Sequence, residues 1–201
     1  MLASLVKNYD KLNFILASAS PRRSDLLRNI GMQFKVVISD VTEDEIVNGD
    51  IDNTLINNAR KKGNTVAARN PDSIVISADT VVILDDHIMG KPNNSTEAFQ
   101  MLQKLNGRIH VVKTAFGLIL NRYHKMYFDT VATRVKFRQL DNQEIEAYVQ
   151  SGEPSDKAGA YGIQGKGSLL IDSIDGCYFN IVGFPISKFF VALKKFCEDI
   201  Q

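Results

Sequence analysis

The sequence predicts an α/β protein, a central twisted mixed β-sheet flanked by helices. Three observations predict it. Short apolar runs of strand length, at residues 14–17 and 74–84, interleave with segments whose apolar residues recur at helical spacing. The alternation is not strictly βαβ, and two long neighbouring runs, 109–120 and 125–137, read as an antiparallel hairpin, so the sheet mixes strand directions. The chain has 201 residues, 44% of them hydrophobic and 23% charged, which is ordinary globular composition on a chain long enough to bury a real core.

The elements follow in order. Residues 14–17 form a buried strand. Ser20 is placed to cap a helix that Pro21 opens; Leu26, Leu27 and Ile30 give its apolar stripe and Gly31 closes it. Residues 34–39 read as a second strand and 40–45 as an acidic loop. Asp52 is the expected cap of a helix running to Arg69, with Leu55, Ile56, Ala59, Val66 and Ala67 inward, and Asn70-Pro71-Asp72 ends it. Residues 74–84 are one β-region turning at Asp85-Asp86. A Gly90-Lys91-Pro92 loop leads to a helix over 95–106 that Gly107 stops. The hairpin strands meet through 121–124. Asp141 and Glu144 have capping-box spacing for a helix ending at Gly152. A glycine-rich loop over 159–167 precedes two expected strands, 168–171 and 178–181, on either side of Asp175-Gly176, and a final helix runs from about Pro185 to Cys197.

Nothing marks a domain boundary, so a single domain over 1–201 is expected, with 1–12 a short extension. The first residues lack a long apolar core, which predicts no signal peptide, and no apolar run is long enough to span a bilayer. A net charge of +1 argues against duplex nucleic acid as partner. Two cysteines, Cys177 and Cys197, are too few for a disulfide framework and fit a reducing compartment.

Four segments carry chemistry. In Ser18-Ala19-Ser20-Pro21-Arg22-Arg23 a strand ends and a helix starts with two arginines in its first turn, where the helix dipole disfavours cations unless an anion binds. The plainer reading is a capped helix with solvated arginines. Asp79, with Thr80, interrupts an apolar β-run, and a carboxylate there must be paired, hydrogen-bonded or on a metal. The acidic loop containing Glu43 offers hard oxygen ligands but matches no EF-hand. Lys91 is pinned between Gly90 and Pro92, a phosphate contact or merely a turn, while Lys62 on its own is a surface lysine. In the stretch 156–167 the glycines allow close backbone approach to a ligand. A Walker A loop is rejected because Ala160 stands where glycine is needed and Gly167 follows Lys166. Gln164 there can read a nucleobase edge or be an ordinary loop amide. His87, His110 and His124 show no ligand spacing.

In this order and spacing these segments resemble the Maf family of nucleoside triphosphate pyrophosphatases, septum-formation Maf-like proteins. The residues that carry the resemblance are Leu16 to Arg23, Ala78 to Val82, Gly90-Lys91-Pro92, Tyr148-Val149 with Ser151 to Pro154, Asp156 to Gly165, and Gly183 to Ser187. The resemblance implies an inosine-triphosphatase-like fold, two lobes around a nucleotide-binding cleft. It implies hydrolysis of a nucleoside triphosphate to monophosphate and pyrophosphate with Mg²⁺ or Mn²⁺, as nucleotide-pool house-cleaning. Arg23, Thr80 and Gln164 match the branch preferring dTTP, UTP and modified pyrimidine analogues.

By the same resemblance Arg22, Lys62, Lys91 and Ser18 clamp phosphates, Glu43 and Asp79 hold the metal, and one of those two, with Asp79 favoured, activates water. Arg23, Thr80 and Gln164 recognise the pyrimidine. A cytoplasmic enzyme without nucleic-acid or membrane partners is implied, and a homodimer is admitted. Two other readings stand beside this one, a low-turnover nucleotide-binding regulator of cell division and a broader pyrophosphatase for non-standard bases. Gly63 stands where alanine is common in the family, a change expected to loosen the helix bearing Lys62 by roughly 1 kcal/mol.

Overall fold

The computed structural model describes residues 1–42, 44 and 50–200. The elements are α1 (Leu2–Leu5), β1 (Asn13–Leu16), α2 (Pro21–Asn29), β2 (Lys35–Val36), α3 (Ile51–Arg69), β3 (Ser73–Leu84), β4 (His87–Met89) and α4 (Ser95–Leu105). They continue with β5 (Ile109–Leu120), β6 (Lys125–Phe137), α5 (Asn142–Gln150), β7 (Ile171–Asp175), α6 (Tyr178–Val182) and α7 (Ile186–Cys197). The seven strands form one mixed sheet in the order β2-β1-β3-β5-β6-β7, with β4 on β3. β1 is parallel to β2 and β3, whereas β3–β4 and β6–β7 are antiparallel. The expected α/β class is the observed one.

The chain forms two compact units. The first is Met1–Asp79, Thr114–Thr130 and Gly183–Gln201; the second is Thr80–Lys113 and Val131–Val182. β3, β5 and β6 contribute residues to both.

In the first unit, Ile15 and Ala17 of the β1 segment pack with Val66 and Ala67 of α3, Val75 of β3 and Ile119 of β5. Phe116, Phe184 and Phe189 of the same unit meet one another edge-to-face. The N-terminal extension is fastened to this unit. Leu2 and Val6 are buried, the Lys7 ammonium donates to the Glu198 carbonyl (2.7 Å), and the Asn8 amide donates to the Ile200 carbonyl (3.0 Å).

In the second unit, Leu102 and Leu105 of α4, Phe137 of β6, and Ile145 and Tyr148 of α5 belong to one buried cluster. Asp85 and Asp86, both with positive φ, make the two-residue β3–β4 turn. The capping box of α5 forms as expected: Asp141 accepts from the Glu144 amide and Glu144 accepts from the Asp141 amide.

Three expectations change. The strand expected at 34–39 reduces to Lys35–Val36. The cap of α3 is Asp50 rather than Asp52, its carboxylate accepting from the Asn53 amide (3.3 Å). Residues Gly165–Leu170 are a 3₁₀ segment, β7 lies at Ile171–Asp175, and Tyr178–Val182 is helical instead of extended. The aromatic pair Tyr178-Phe179 suggests a strand, but Asn180 decides the local structure. Its buried amide donates to the Val112 carbonyl and to Thr133 Oγ1, both at 3.0 Å, which holds the turn inward. Among the described residues, no helix is long and apolar enough to cross a membrane.

Candidate active site

The first unit gathers Ser18, Arg23, Lys62 and Asp79. β1 ends at Leu16, and Ser18 in the following turn is buried. Ser20 occupies the N-cap position of α2, but its side chain makes no capping bond. Ser18 Oγ instead accepts from the Ser20 amide (3.2 Å) and from Arg23 Nη1 (3.1 Å). Arg23 is only 8% exposed, and its guanidinium spans three segments. Besides Ser18, Nη1 donates to the Ala78 carbonyl (3.0 Å) and Nε to the Gly183 carbonyl (2.9 Å). A buried guanidinium needs such acceptors, and these tie it to the peptide just before Asp79. Arg22, one residue earlier, is partly exposed.

Asp79 sits in the buried centre of β3 at 6% exposure. Its Oδ1 accepts from the Lys62 ammonium at 2.9 Å, with both side chains about nine-tenths buried. Lys62 reaches it from the inward stripe of α3, where positions 55, 58, 59, 62 and 66 follow helical spacing. Lys62 is therefore not the surface lysine its local sequence suggests. Sequence reasoning missed Asn58, one turn earlier. Its Nδ2 lies 3.4 Å from Asp79 Oδ2, and its amide also bonds both backbone groups of Asp44. The available signal was an uncharged polar residue on an otherwise apolar stripe, four positions before Lys62. Lys61, on the neighbouring face, pairs with the Asp44 carboxylate at 2.5 Å, half exposed. Glu43, predicted as a metal ligand, lies outside the described residues.

Thr80, Lys91 and Gln164 belong to the second unit. Thr80 is partly exposed; Lys91 and Gln164 are exposed on loops. Those loops are tied, because the Gly159 amide donates to the Gly90 carbonyl (2.9 Å). The glycine-rich stretch is braced from within the unit. Tyr148 Oη accepts from the Gly162 amide (3.2 Å) and Glu153 Oε2 from the Lys166 amide (3.1 Å). A Cβ on Gly167 would lie 2.0 Å from the Gly162 carbonyl oxygen, so this glycine serves the loop's packing on itself. Tyr161 lies buried beneath the loop, its hydroxyl 2.6 Å from His110 Nε2. Burial pulls the His110 pKa down to about 4 and pushes that of the Tyr161 phenol far up, so both are neutral near pH 7.

The first-unit arrangement can hold a carboxylate in fixed orientation, with a cation on one oxygen and an amide near the other. Among the described residues Asp79 Oδ2 meets only the long Asn58 amide contact, and an oxygen donor of this kind suits a hard divalent cation. Among the described residues no group of three or more His, Cys, Asp or Glu side chains is placed to hold a metal. Within the described residues, Asp79 is the carboxylate that could serve a cation here.

The fold is that of Ham1 proteins. The structure superposes on a Ham1 protein from Coxiella burnetii with a TM-score of 0.52 at 14% identity, covering 92% of this chain and 99% of that one. The Staphylococcus aureus Ham1 protein gives 0.52 at 13% identity, covering 91% and 98%. Within that fold, residues 13–196 match the model of the Maf-like proteins, and the chain belongs to that family. Relatives named dTTP/UTP pyrophosphatase include one from Desulforamulus reducens, 46% identical over 189 residues, spanning 92% of this chain and 97% of that protein. Another, from Clostridioides difficile, is 45% identical over 186 residues, spanning 92% and 95%. A third, from Bacillus anthracis, is 42% identical over 186 residues, spanning 92% and 96%.

Proposed function

We propose that this chain is a nucleoside triphosphate pyrophosphatase that acts on dTTP and UTP. The observation that carries the reading is the buried Asp79–Lys62 pair, in a chain 46% identical to a protein named for that reaction. A water oxygen attacks the α-phosphorus, the bond from that phosphorus to the bridging oxygen of the β-phosphate breaks, and pyrophosphate leaves. Asp79 accepts the water's proton. Lys62 orients the Asp79 carboxylate, and with Arg22, Lys91 and Ser18 it offsets charge on the phosphates. Asp79, with Glu43, would hold a Mg²⁺ or Mn²⁺ ion, which supplies charge neutralisation on the phosphate oxygens. Gln164, Thr80 and Arg23 set base choice, Arg23 from its buried seat between Ser18 and Ala78. The enzyme is cytoplasmic in this reading, and a homodimer goes with it; sedimentation of the purified chain checks the second point.

The test is a panel of dTTP, UTP, CTP and ATP, scored for pyrophosphate against orthophosphate. Uracil and thymine present an acceptor-donor-acceptor edge that a glutamine amide matches, while cytosine places an amine at one acceptor position. The expected products are monophosphate and pyrophosphate, with kcat/KM for dTTP and UTP at least roughly tenfold above CTP and ATP, and with Gln164→Ala narrowing the gap. Stoichiometric orthophosphate would overturn the point of attack. Equal rates on all four bases would overturn the base assignment alone.

A further inference from the structure

We propose that Asn58 is a positioning residue for this reaction, its amide holding the Asp79 carboxylate and the peptide groups of residue 44 in one fixed relation. Asn58 is 2% exposed on the inward stripe of α3. An asparagine amide has one acceptor oxygen and two N–H donors. Here the oxygen accepts from the Asp44 amide (2.8 Å), one donor goes to the Asp44 carbonyl (3.1 Å), and Asp79 Oδ2 lies 3.4 Å from the same nitrogen. The two-point contact with Asp44 copies the pairing of neighbouring strands, so the side chain reads a stretch of backbone 14 residues upstream.

The contact to Asp79 complements Lys62. Lys62 holds Oδ1 only, and a carboxylate held at one oxygen can still turn about its Cβ–Cγ bond. A donor near the second oxygen limits that turn, and the energy of an aligned base depends on such constraint. Packing alone does not call for an amide here. Its neighbours on the stripe, Leu55, Ala59 and Val66, are apolar, and leucine would fill a similar volume without burying groups that must find partners.

The inference rests on Asp79 as the group that activates water, and the experiment separates the two. Asn58→Leu removes every polar contact at similar volume. Asn58→Asp keeps an acceptor for the Asp44 amide but loses the donors and sets a second carboxylate beside Asp79. Both variants are expected to lose about tenfold or more in kcat for dTTP with KM within about threefold, because alignment acts on the transition state rather than on substrate binding. Hydrogen exchange of the Asp44 amide, followed by NMR without nucleotide, is expected to speed up at least about tenfold in Asn58→Leu and to stay near wild type in Asn58→Asp. A merely structural role would lower kcat only in step with unfolding stability, whereas a positioning role lowers kcat in Asn58→Asp while KM and the protection of Asp44 stay near wild type. Should Asn58→Leu fail to fold, Asn58→Asp alone decides through its kcat and the retained protection of Asp44. Wild-type kcat in the folded variants, beside an inactive Asp79→Asn, overturns the positioning role alone. An active Asp79→Asn overturns the Asp79 assignment and this inference with it.

Discussion

The two units bury polar groups in different ways. The first buries charge: Arg23 among three segments and Asp79 against Lys62, with Asn58 beside them. The second buries neutral groups: His110 against Tyr161, and Asn180 against Thr133 and Val112. Lys91 and Gln164, the second-unit residues proposed for the site, stand exposed on loops. Buried charge is costly even when paired, and replacing it with apolar groups is often neutral or stabilising. A fold that keeps it is using the charge for something besides stability. Buried neutral groups cost less than buried charge, even where, as at His110 Nδ1, one nitrogen lacks a hydrogen-bond partner, and their bonds fix how elements pack. The difference teaches that changes in the first unit's pair should show in catalysis, and changes at His110 in stability.

The largest effect is expected at Asp79. Asp79→Asn keeps the shape and an acceptor for Lys62 but cannot take the water's proton. Turnover is expected to fall at least about a hundredfold, roughly 2.7 kcal/mol of transition-state stabilisation, with nucleotide affinity within an order of magnitude of wild type. Steady-state kinetics with a separate equilibrium titration of nucleotide checks both. Retention of more than about a tenth of kcat would break the contrast between the units, because the buried charge would then have no chemical use.

His110 sharpens the other side. Burial holds its imidazole neutral, with a pKa near 4 against 6.5 for the free side chain. In the unfolded chain it takes up a proton as pH falls through 6.5, while the native state resists until about 4. The stabilisation is complete above pH 6.5 and is lost as pH drops toward 4. By that linkage the loss by pH 5 is about 2 kcal/mol. His110→Phe keeps the edge-to-face packing against Phe137 and Tyr161 and removes the titration. The unfolding free energy of wild type minus that of the variant, from urea unfolding, is expected to fall by about that amount between pH 7.5 and pH 5. A constant gap would mean that His110 stays neutral in neither state or in both.

The candidate site was legible in the sequence where a residue broke a local rule. Asp79 stood out as an acid inside an apolar strand, and the two arginines as cations at the start of a helix. The glycine-rich loop announced itself by composition. Lys62 and Asn58 were not legible on local grounds, since lysine and asparagine are ordinary on a helix. What gives them meaning is Asp79, 17 and 21 residues further on. The β7 region misled for a related reason. As a strand at the end of the sheet order it leaves residues 172–175 exposed, so Ile171–Asp175 shows no alternation for a sequence to display, whereas the aromatic Tyr178-Phe179 imitates a strand within a helix.

The smallest predicted effect tests how closely the first unit packs behind its charged pair. Gly63 follows Lys62 on α3, and glycine inside a helix costs roughly 1 kcal/mol against alanine, so Gly63→Ala should stabilise if space allows. The structure argues otherwise. A Cβ at position 63 would lie 2.4 Å from Ile119 Cδ1 and 2.9 Å from Ser77 Oγ. Ile119 is fully buried, and overpacking a core typically costs about 1–3 kcal/mol, which offsets the gain in helix propensity. Ser77 is the adaptable side of this contact, since its Oγ is buried without a hydrogen-bond partner and its removal leaves nothing unsatisfied. Gly63→Ala is therefore expected to lose about 1 kcal/mol, and Ser77→Ala to be neutral or mildly stabilising. In the double variant the cost of Gly63→Ala should shrink by roughly 0.5–1 kcal/mol, a coupling that a double-mutant cycle in urea resolves. Strict additivity would mean that Ile119 alone sets the fit of α3 on the sheet. A stabilising Gly63→Ala would mean that the helix yields, and that the approach of Lys62 to Asp79 does not depend on a glycine at its shoulder.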